Sequence, residues 1–319
     1  MPTAHTVSHP GVPPLRVEVD AVRRLHFDDG SGVRAASGVA PLGDGWLVAQ
    51  DDAAHAAWLR DGRVERLRIV PPIDGHDVFS SDAGTKHLKP DLEAACPVEH
   101  DGRPGVLLLG SGSTPARMRA ALVTLDPEPV VVVADLAPLY ARVAELLQLP
   151  PEDVNLEGAS RLGATLRWYA RGNLNTGVPS ASVDVELAEL MAAVTGRAEA
   201  SSVGVRQPVV YDLGSVDGVG LTVTDAVALP DGRTLISAAA EDTPNAVDDG
   251  PVVASAVALL DGDDLVSIAV LPLVEGEVAK VEGLAVVQSD PSSAQLLAVV
   301  DDDDTEVASL ALTLRVRWA

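Results

Sequence analysis

Apolar and polar residues alternate with a period of two along most of the chain, in short runs separated by polar turns. In the first run, Leu15 to Phe27, Leu15, Val17 and Val19 alternate with Arg16, Glu18 and Asp20. Four more runs follow: SGVAPL, WLVAQ, AAWLR and VERLRIV. They are joined by Gly43-Asp44-Gly45, by the polar stretch Asp51-Asp52-Ala53-Ala54-His55, and by Asp61-Gly62, a strong short-range hairpin signal. The grouping recurs in LEAACPV, GVLLLGS, RAALVTLD, PVVVVAD, and again in LEGASRL, LRWYARG, SASVDVEL, RQPVVYDLG. A fourth group reads DAVALP, TLISAAA, ASAVALLDG, LVSIAVLPL, and a fifth stops after EGLAVVQ, QLLAVVD and VASLALTLRV. The spare run Leu15–Phe27 supplies the missing strand. The pattern predicts an all-β chain, a five-bladed β-propeller whose ring is closed by the N-terminal strand. A six-bladed ring is the alternative, and it needs a blade that the sequence does not display.

The period changes to 3.6 in two places. Leu136, Leu139, Tyr140, Val143, Leu146 and Leu147 share one helical face, with Asp135 placed to cap the start and Pro150-Pro151 ending the run. A second helical patch, 185–194, overlaps the end of a strand in the third group. Residues 1–14 are expected to be loose, and 15–319 to form one propeller domain.

The first strand of each group starts alike. SGVAPL, LEAACPV, LEGASRL, TDAVALP and VEGLAVV place Ser37, Glu93, Glu157, Asp225 and Glu282 at matching positions, at intervals of 56, 64, 68 and 57 residues. In a propeller these strands line the central channel, so five oxygen-bearing side chains are expected to converge on its axis. The loops that open on the same face hold the polar material: Asp51-Asp52, Ser111 to Thr114, Arg171-Gly172-Asn173, Glu241-Asp242 and Asp301 to Asp304. Carboxylates crowded on one axis do not stay ionised together without a cation. An all-oxygen set without His or Cys suits Ca2+, with Mg2+ as the alternative. The competing reading is that these acids cap strand starts or pair with arginines. Asp51, Asp52, Glu241 and Asp242 are the candidate bases, and Lys86, Arg117, Arg171 and Asn173 the candidate substrate contacts. Lys89, His76 and His87 share the long loop with Lys86.

Composition narrows the partners. Asp plus Glu number 47 against 23 Lys plus Arg, a formal charge of −24, which repels nucleic acid and anionic membranes. A small molecule is the expected partner, and a monomer the expected state. The single Cys96 allows no internal disulfide. The first residues carry no apolar signal segment and no run is long enough to span a bilayer, so the expectation is a cytoplasmic protein. There is no His-Glu-x-x-His, no Gly-x-Ser-x-Gly and no Cys pair.

The order SGV, LEAA, a helix followed by Pro-Pro and LEGAS, TDAV and KVEGLAVV, with VAQDD after the first motif, resembles the five-bladed calcium-dependent nucleotidases (apyrases) across residues 36–288. The resemblance implies a Ca2+ held by Ser37, Glu93, Glu157, Asp225 and Glu282, acting as Lewis acid on a phosphoanhydride. The chain departs from that pattern in having only nine aromatic residues with which to stack a base. More loosely, the chain resembles calcium-dependent lactonases and phytase-like propellers. Two functions follow: a metal-dependent hydrolase of a small ester, lactone or phosphoanhydride, or a non-catalytic propeller with structural calcium.

Overall fold

The computed structural model describes residues 7, 9, 11–242, 250–301, 304 and 306–318. Five antiparallel sheets form a five-bladed β-propeller. Strand β1 (Arg16–Arg24) precedes the first complete blade, β2 (Ala36–Leu42), β3 (Gly45–Gln50), β4 (His55–Arg60) and β5 (Arg63–Arg68). Blade two is β6 (Leu92–His100), β7 (Arg103–Gly110), β8 (Arg119–Asp126) and β9 (Glu128–Asp135). Blade three is β10 (Leu156–Leu162), β11 (Thr165–Ala170), β12 (Ser180–Glu186) and β13 (Val205–Tyr211). In blade four a two-residue β14 (Ser215–Val216) pairs with the start of β15 (Val219–Ala228), followed by β16 (Thr234–Glu241), β17 (Val252–Asp261) and β18 (Asp264–Val270). Blade five is β19 (Val281–Asp290), β20 (Ser293–Val300) and β21 (Leu310–Arg317), completed by β1, which pairs antiparallel with β21.

The turn chemistry explains the hairpins. Asp61-Gly62, Asp101-Gly102 and Asp217-Gly218 all have both residues at positive φ, the backbone that matches strand twist in a two-residue loop. Each of the five hydrophobic clusters fills the space between two consecutive blades. The blades are therefore held by face-to-face packing of alternate residues, with the innermost strands β2, β6, β10, β15 and β19 adjacent around the axis.

Two α-helices lie among the described residues, α1 (Ala137–Leu147) and α2 (Leu187–Val194). Asp135 Oδ1 accepts from the Ala137 amide at 2.8 Å, one residue outside the formal cap. The apolar face of α1 buries Leu139, Tyr140 and Val143 in the cluster between blades two and three. The Tyr140 hydroxyl donates to the Gly110 carbonyl at 2.6 Å, which pins the end of β7 where it reaches the channel mouth. Helix α2 begins after β12 rather than overlapping it.

The segment before β1 differs from expectation in its last residues. The Pro13 carbonyl accepts from the Ile268 amide at 3.3 Å and the Ser267 hydroxyl at 2.7 Å, and Pro14 bridges to Ile268. These contacts tie 13–15 to β18. Residues 1–6, 8 and 10 of the expected loose stretch, and residues 243–249, 302–303 and 305, lie outside the described residues.

Candidate functional site at the channel mouth

Every innermost strand carries a one-residue bulge near its start. The ladder skips Ser37 in β2, Glu93 in β6, Glu157 in β10, Thr224 in β15 and Glu282 in β19. A bulge leaves one residue out of the pairing and re-aims its side chain. Ser37, Glu93, Glu157 and Glu282 line a common cavity of about 220 Å3 at the mouth.

In blade four the structure corrects the alignment by one residue. Thr224, not Asp225, occupies the position equivalent to Ser37 and Glu157. The Thr224 hydroxyl donates to the Val281 carbonyl at 2.6 Å, just as the Ser37 hydroxyl donates to the Leu92 carbonyl at 2.5 Å. Asp225 instead falls where other blades have Gly38, Gly158 and Gly283. A Cβ on Gly158 would lie 2.9 Å from the Asp225 Cα, so these positions sit in close strand-to-strand contact. The Asp225 carboxylate accepts from the Leu284 amide of blade five at 2.6 Å, inside the ring wall. Burial holds its pKa well above the usual carboxylate range, against the pull of the amides of Leu284, Ala226 and Ala159. Asp225 does not line the mouth cavity.

The acids are not alone at the mouth. The cavity is lined by six carboxylates (Asp51, Asp91, Glu93, Glu157, Glu282, Asp301) and five cations (Lys86, Lys89, Arg117, Arg171, Lys280). Most of the charge is therefore matched by the chain itself, as the competing reading expected. On the side of blades one and two, Lys89 Nζ lies 2.7 Å from Asp51 and 2.6 Å from Asp91, and Arg117 lies 3.0 Å from Asp91. The Ser111 hydroxyl also donates to Asp91. On the other side, Arg171 bridges Glu157 at 3.1 Å and Glu241, while Lys280 lies 3.1 Å from Glu282 and 3.5 Å from Glu241. Asn155 donates to Glu157 Oε1 at 2.6 Å.

Some oxygen remains unmatched. Glu157 Oε2 is buried without a hydrogen-bond partner. Glu93 makes no ion pair among the described residues, and its pKa is raised well above the usual range by burial, then by Asp91 and Asp51. Glu157 is also raised, by burial first and with Glu282 adding to it, although Arg171 opposes both. Asp51, Asp91 and Glu93 each bring one oxygen within 4.8 Å of the others.

The remaining candidates separate. Asp51 and Asp52 line a second cavity of about 220 Å3 that shares Asp51, Lys86, Lys89 and Asp301 with the first. Burial, reinforced by Asp51, pushes the Asp52 pKa up to about 7. Glu241 goes the other way: burial would raise it, but Arg171, Lys280 and the Gly250 amide lower it overall. Asp242 is exposed and accepts from Asn175 at 3.3 Å, outside the cavity. Lys86 and Arg117 line the mouth, Arg117 paired with Asp91, and Arg171 does so while committed to its own ion pairs. Asn173 caps the 174–176 turn through the Asn175 amide at 3.0 Å and is not in the cavity wall. His76 and His87 are exposed outside the two cavities.

Asp91 and Lys280 were not anticipated. Both precede the bulged Glu by two residues, as Asn155 does, and each is the residue just before its innermost strand.

His55 lines neither cavity and packs against Phe27 with ring centres 5.6 Å apart. Burial, then the charges of Arg66 and Arg68, pushes its pKa down to about 4 from 6.5. The unfolded chain therefore takes up this proton first, and stability is lost as pH falls from about 6.5 toward about 4. The loss reaches about 3 kcal/mol. Urea unfolding across that window should show it in the wild type and not in His55→Gln, and parallel pH profiles would contradict it.

The molecule is thus a five-bladed propeller with a charged, bulge-built cavity at one end of its channel. By sequence, residues 85–305 match the model of a family of unknown function (DUF6910), and the chain belongs to that family. No curated protein matches it. Among solved structures, glutaminyl cyclase from Myxococcus xanthus is similar over 95% of this chain and 98% of its own, at 12% identity and a TM-score of 0.50. A luciferin-regenerating enzyme covers 93% and 95% at 9% identity and a TM-score of 0.43. The mannose phosphorylase MPT-4 from Leishmania mexicana, solved with phosphate ion, covers 93% and 88% at 12% identity and a TM-score of 0.47. At such identities the likeness is one of fold.

Proposed function

We propose that the channel mouth binds a divalent cation, Ca2+ by preference, and hydrolyses a small ester, lactone or phosphoanhydride. The observation that carries this is the convergence of Ser37, Glu93, Glu157 and Glu282 from four blades on one cavity, with Glu157 Oε2 buried and unmatched. The donor set fits a hard cation. The Ser37 proton is committed to the Leu92 carbonyl, so its lone pairs are available, and Glu93 has no competing ion pair among the described residues. Ser37, Glu93, Glu157 and Glu282 would hold the metal, and Thr224 takes the fifth equivalent place without reaching the cavity. A bound divalent ion would supply Lewis-acid polarisation of the scissile group.

The chain's own residues do the rest. Lys86 and Arg117 hold the electron-rich end of the substrate at the rim. Asp52, with a pKa of about 7 in the adjoining lobe, is suited to take a proton from water, because a base works best when its pKa lies near the working pH. Asp51 is tied to Lys89, and Glu241 is too strongly held by Arg171 to serve.

The test is a thermal melt with Ca2+ and with chelator. Saturating Ca2+ at a hundred times its Kd stabilises the folded state by about 2.7 kcal/mol, and Glu157→Gln should lose most of that gain. No shift with any divalent ion would remove the metal and leave the lysines and arginines as the full charge balance. A clear shift with no turnover of nucleotides, lactones or esters would favour the non-catalytic propeller.

A further inference from the structure

The seam where the N-terminal strand closes the ring is packed less completely than its inner half. Across blade five, Ala21 of β1, Thr313 of β21 and Leu297 of β20 form one cross-strand row, and Arg23, Ala311 and Val299 the next. Blade one answers with Trp46 of β3, paired with Leu59 of β4. The inner part of this seam is filled by Leu25, Phe27, Val39 and Val48. Toward the opposite face from the mouth, at the turns Asp44-Gly45 and Asp61-Gly62, the small side chains of Ala21, Ala311 and Thr313 leave a groove of about 510 Å3. Volumes of that size accommodate small organic ligands.

Its chemistry is two-sided. The floor is apolar: Trp46, Leu59, Leu297 and Val287, the last a bulged residue of β19 that is 48% exposed. An exposed valine, a half-buried tryptophan and a half-buried leucine side by side form a patch that water solvates poorly. The rim carries Arg23, Arg60 and Arg63 against Asp44 and Asp61. Arg60 is bound to Glu65 at 3.0 Å and Arg63 to Asp28 at 2.9 Å. The Arg23 side chain has neither ion pair nor hydrogen bond among the described residues, although the chain has 47 acidic residues to offer. A guanidinium left without a carboxylate beside an apolar floor fits one kind of occupant.

We infer that this seam groove binds a small amphiphilic anion, its apolar body on Trp46, Leu297 and Val287 and its charged head on Arg23. The site is separate from the channel mouth and does not depend on the hydrolase reading. Arg23 gives a planar fork for a carboxylate or sulfonate.

The probe is 1-anilinonaphthalene-8-sulfonate, followed by its fluorescence, with dodecanoate as competitor. One saturable site is expected, displaced by dodecanoate. Arg23→Glu should weaken it about tenfold, the size of one lost charge-assisted hydrogen bond. Val287→Glu should weaken it similarly. Both positions are exposed, so unchanged circular dichroism and melting confirm that the fold survives. Glu157→Gln at the mouth should leave binding unchanged. Absence of saturable binding, equal binding in all variants, or equal affinity for the uncharged N-phenyl-1-naphthylamine would each overturn the inference. So would binding that falls as the protein is concentrated, because a second copy would then be the occupant.

Discussion

Arg171→Met should cost the fold about 3–5 kcal/mol, because it removes one partner of a buried charge network and leaves the others in place. Arg171 sits between Glu157 and Glu241, whose side chains are only 7% and 4% exposed. Methionine keeps much of the arginine's bulk, so the loss reflects charge rather than a cavity. Glu157 already has its pKa raised by burial with the guanidinium present, and without it the ionised form becomes still less favourable. Chemical denaturation at neutral pH measures the effect, with Arg317→Met as the surface control. Arg317 lies 3.2 Å from Glu18, but both are about half exposed, so that pair contributes at most about 1 kcal/mol. The double variant Arg171→Met/Glu157→Gln should recover part of the loss. Ca2+ should recover part of it too if the metal reading holds, since the ion can replace the missing charge. A loss no larger than that of the surface control would show that the carboxylates at the mouth are neutral in the folded state. The need for a cation would then disappear with it.

This dependence on Arg171 marks where the sequence was readable and where it was not. The ring itself was legible because it rests on local signals: the period of two, the Asp-Gly turns at 61–62 and 101–102, and a fifth group lacking one strand while Leu15–Phe27 had no partner. The helix at 137–147 was legible for the same reason, one apolar face followed by two prolines. The bulge was not. LEGASRL and TDAVALP align equally well with the carboxylates superposed, and only the pairing shows that Thr224 is the unpaired residue and Asp225 the paired one. What decides is close packing: Gly38, Gly158 and Gly283 mark the position next to the bulge, and Asp225 fits there by bonding the Leu284 amide.

Asp91 and Lys280, and the ion-pair partners of Lys89 and Arg171, were missed for a different reason. A repeat search finds residues that recur, whereas Lys89, Asp91, Arg171 and Lys280 compensate one another across blades and recur in none. Their signal lay in position rather than type. The residue two before each bulged Glu is Asp91, Asn155 or Lys280, and the residue following the second strand is Asp51, Ser111 or Arg171 in the first three blades. Placing these positions around the mouth yields the pairs Lys280–Glu282 and Asn155–Glu157 without coordinates. The distances from Lys89 to Asp51 and Asp91 needed the folded loop 71–91, whose course no local pattern encodes.

Removing residues 1–24 should have a larger effect than any point substitution, because it opens the ring. Strand β1 pairs with β21 from Arg16↔Arg317 to Arg24↔Leu310, and Leu15, Val17 and Val19 pack into the cluster between blades four and five. Losing Leu15 alone, which is 4% exposed, forfeits about 1.5–3 kcal/mol of burial. The second cost is the new edge. Strand β21 would present unpaired amides and carbonyls along LALTLRVR, a strand with buried Leu310, Leu312, Leu314 and Val316 on its alternate positions. Such an edge is a template for pairing with another chain. The ion pairs of Arg315 with Asp20 and of Arg317 with Glu18 are exposed, so their loss contributes little by comparison. The truncated chain should therefore elute as oligomers or precipitate, and a synthetic peptide spanning 12–24 should restore a monodisperse species by adding the strand back. Size-exclusion chromatography with and without the peptide reads this directly. A truncated protein that runs as the intact one does and melts at the same temperature would mean that the ring closes without β1. The seam groove tests the same closure from outside, since Ala21 and Arg23 belong to the deleted strand and dodecanoate binding should vanish with it.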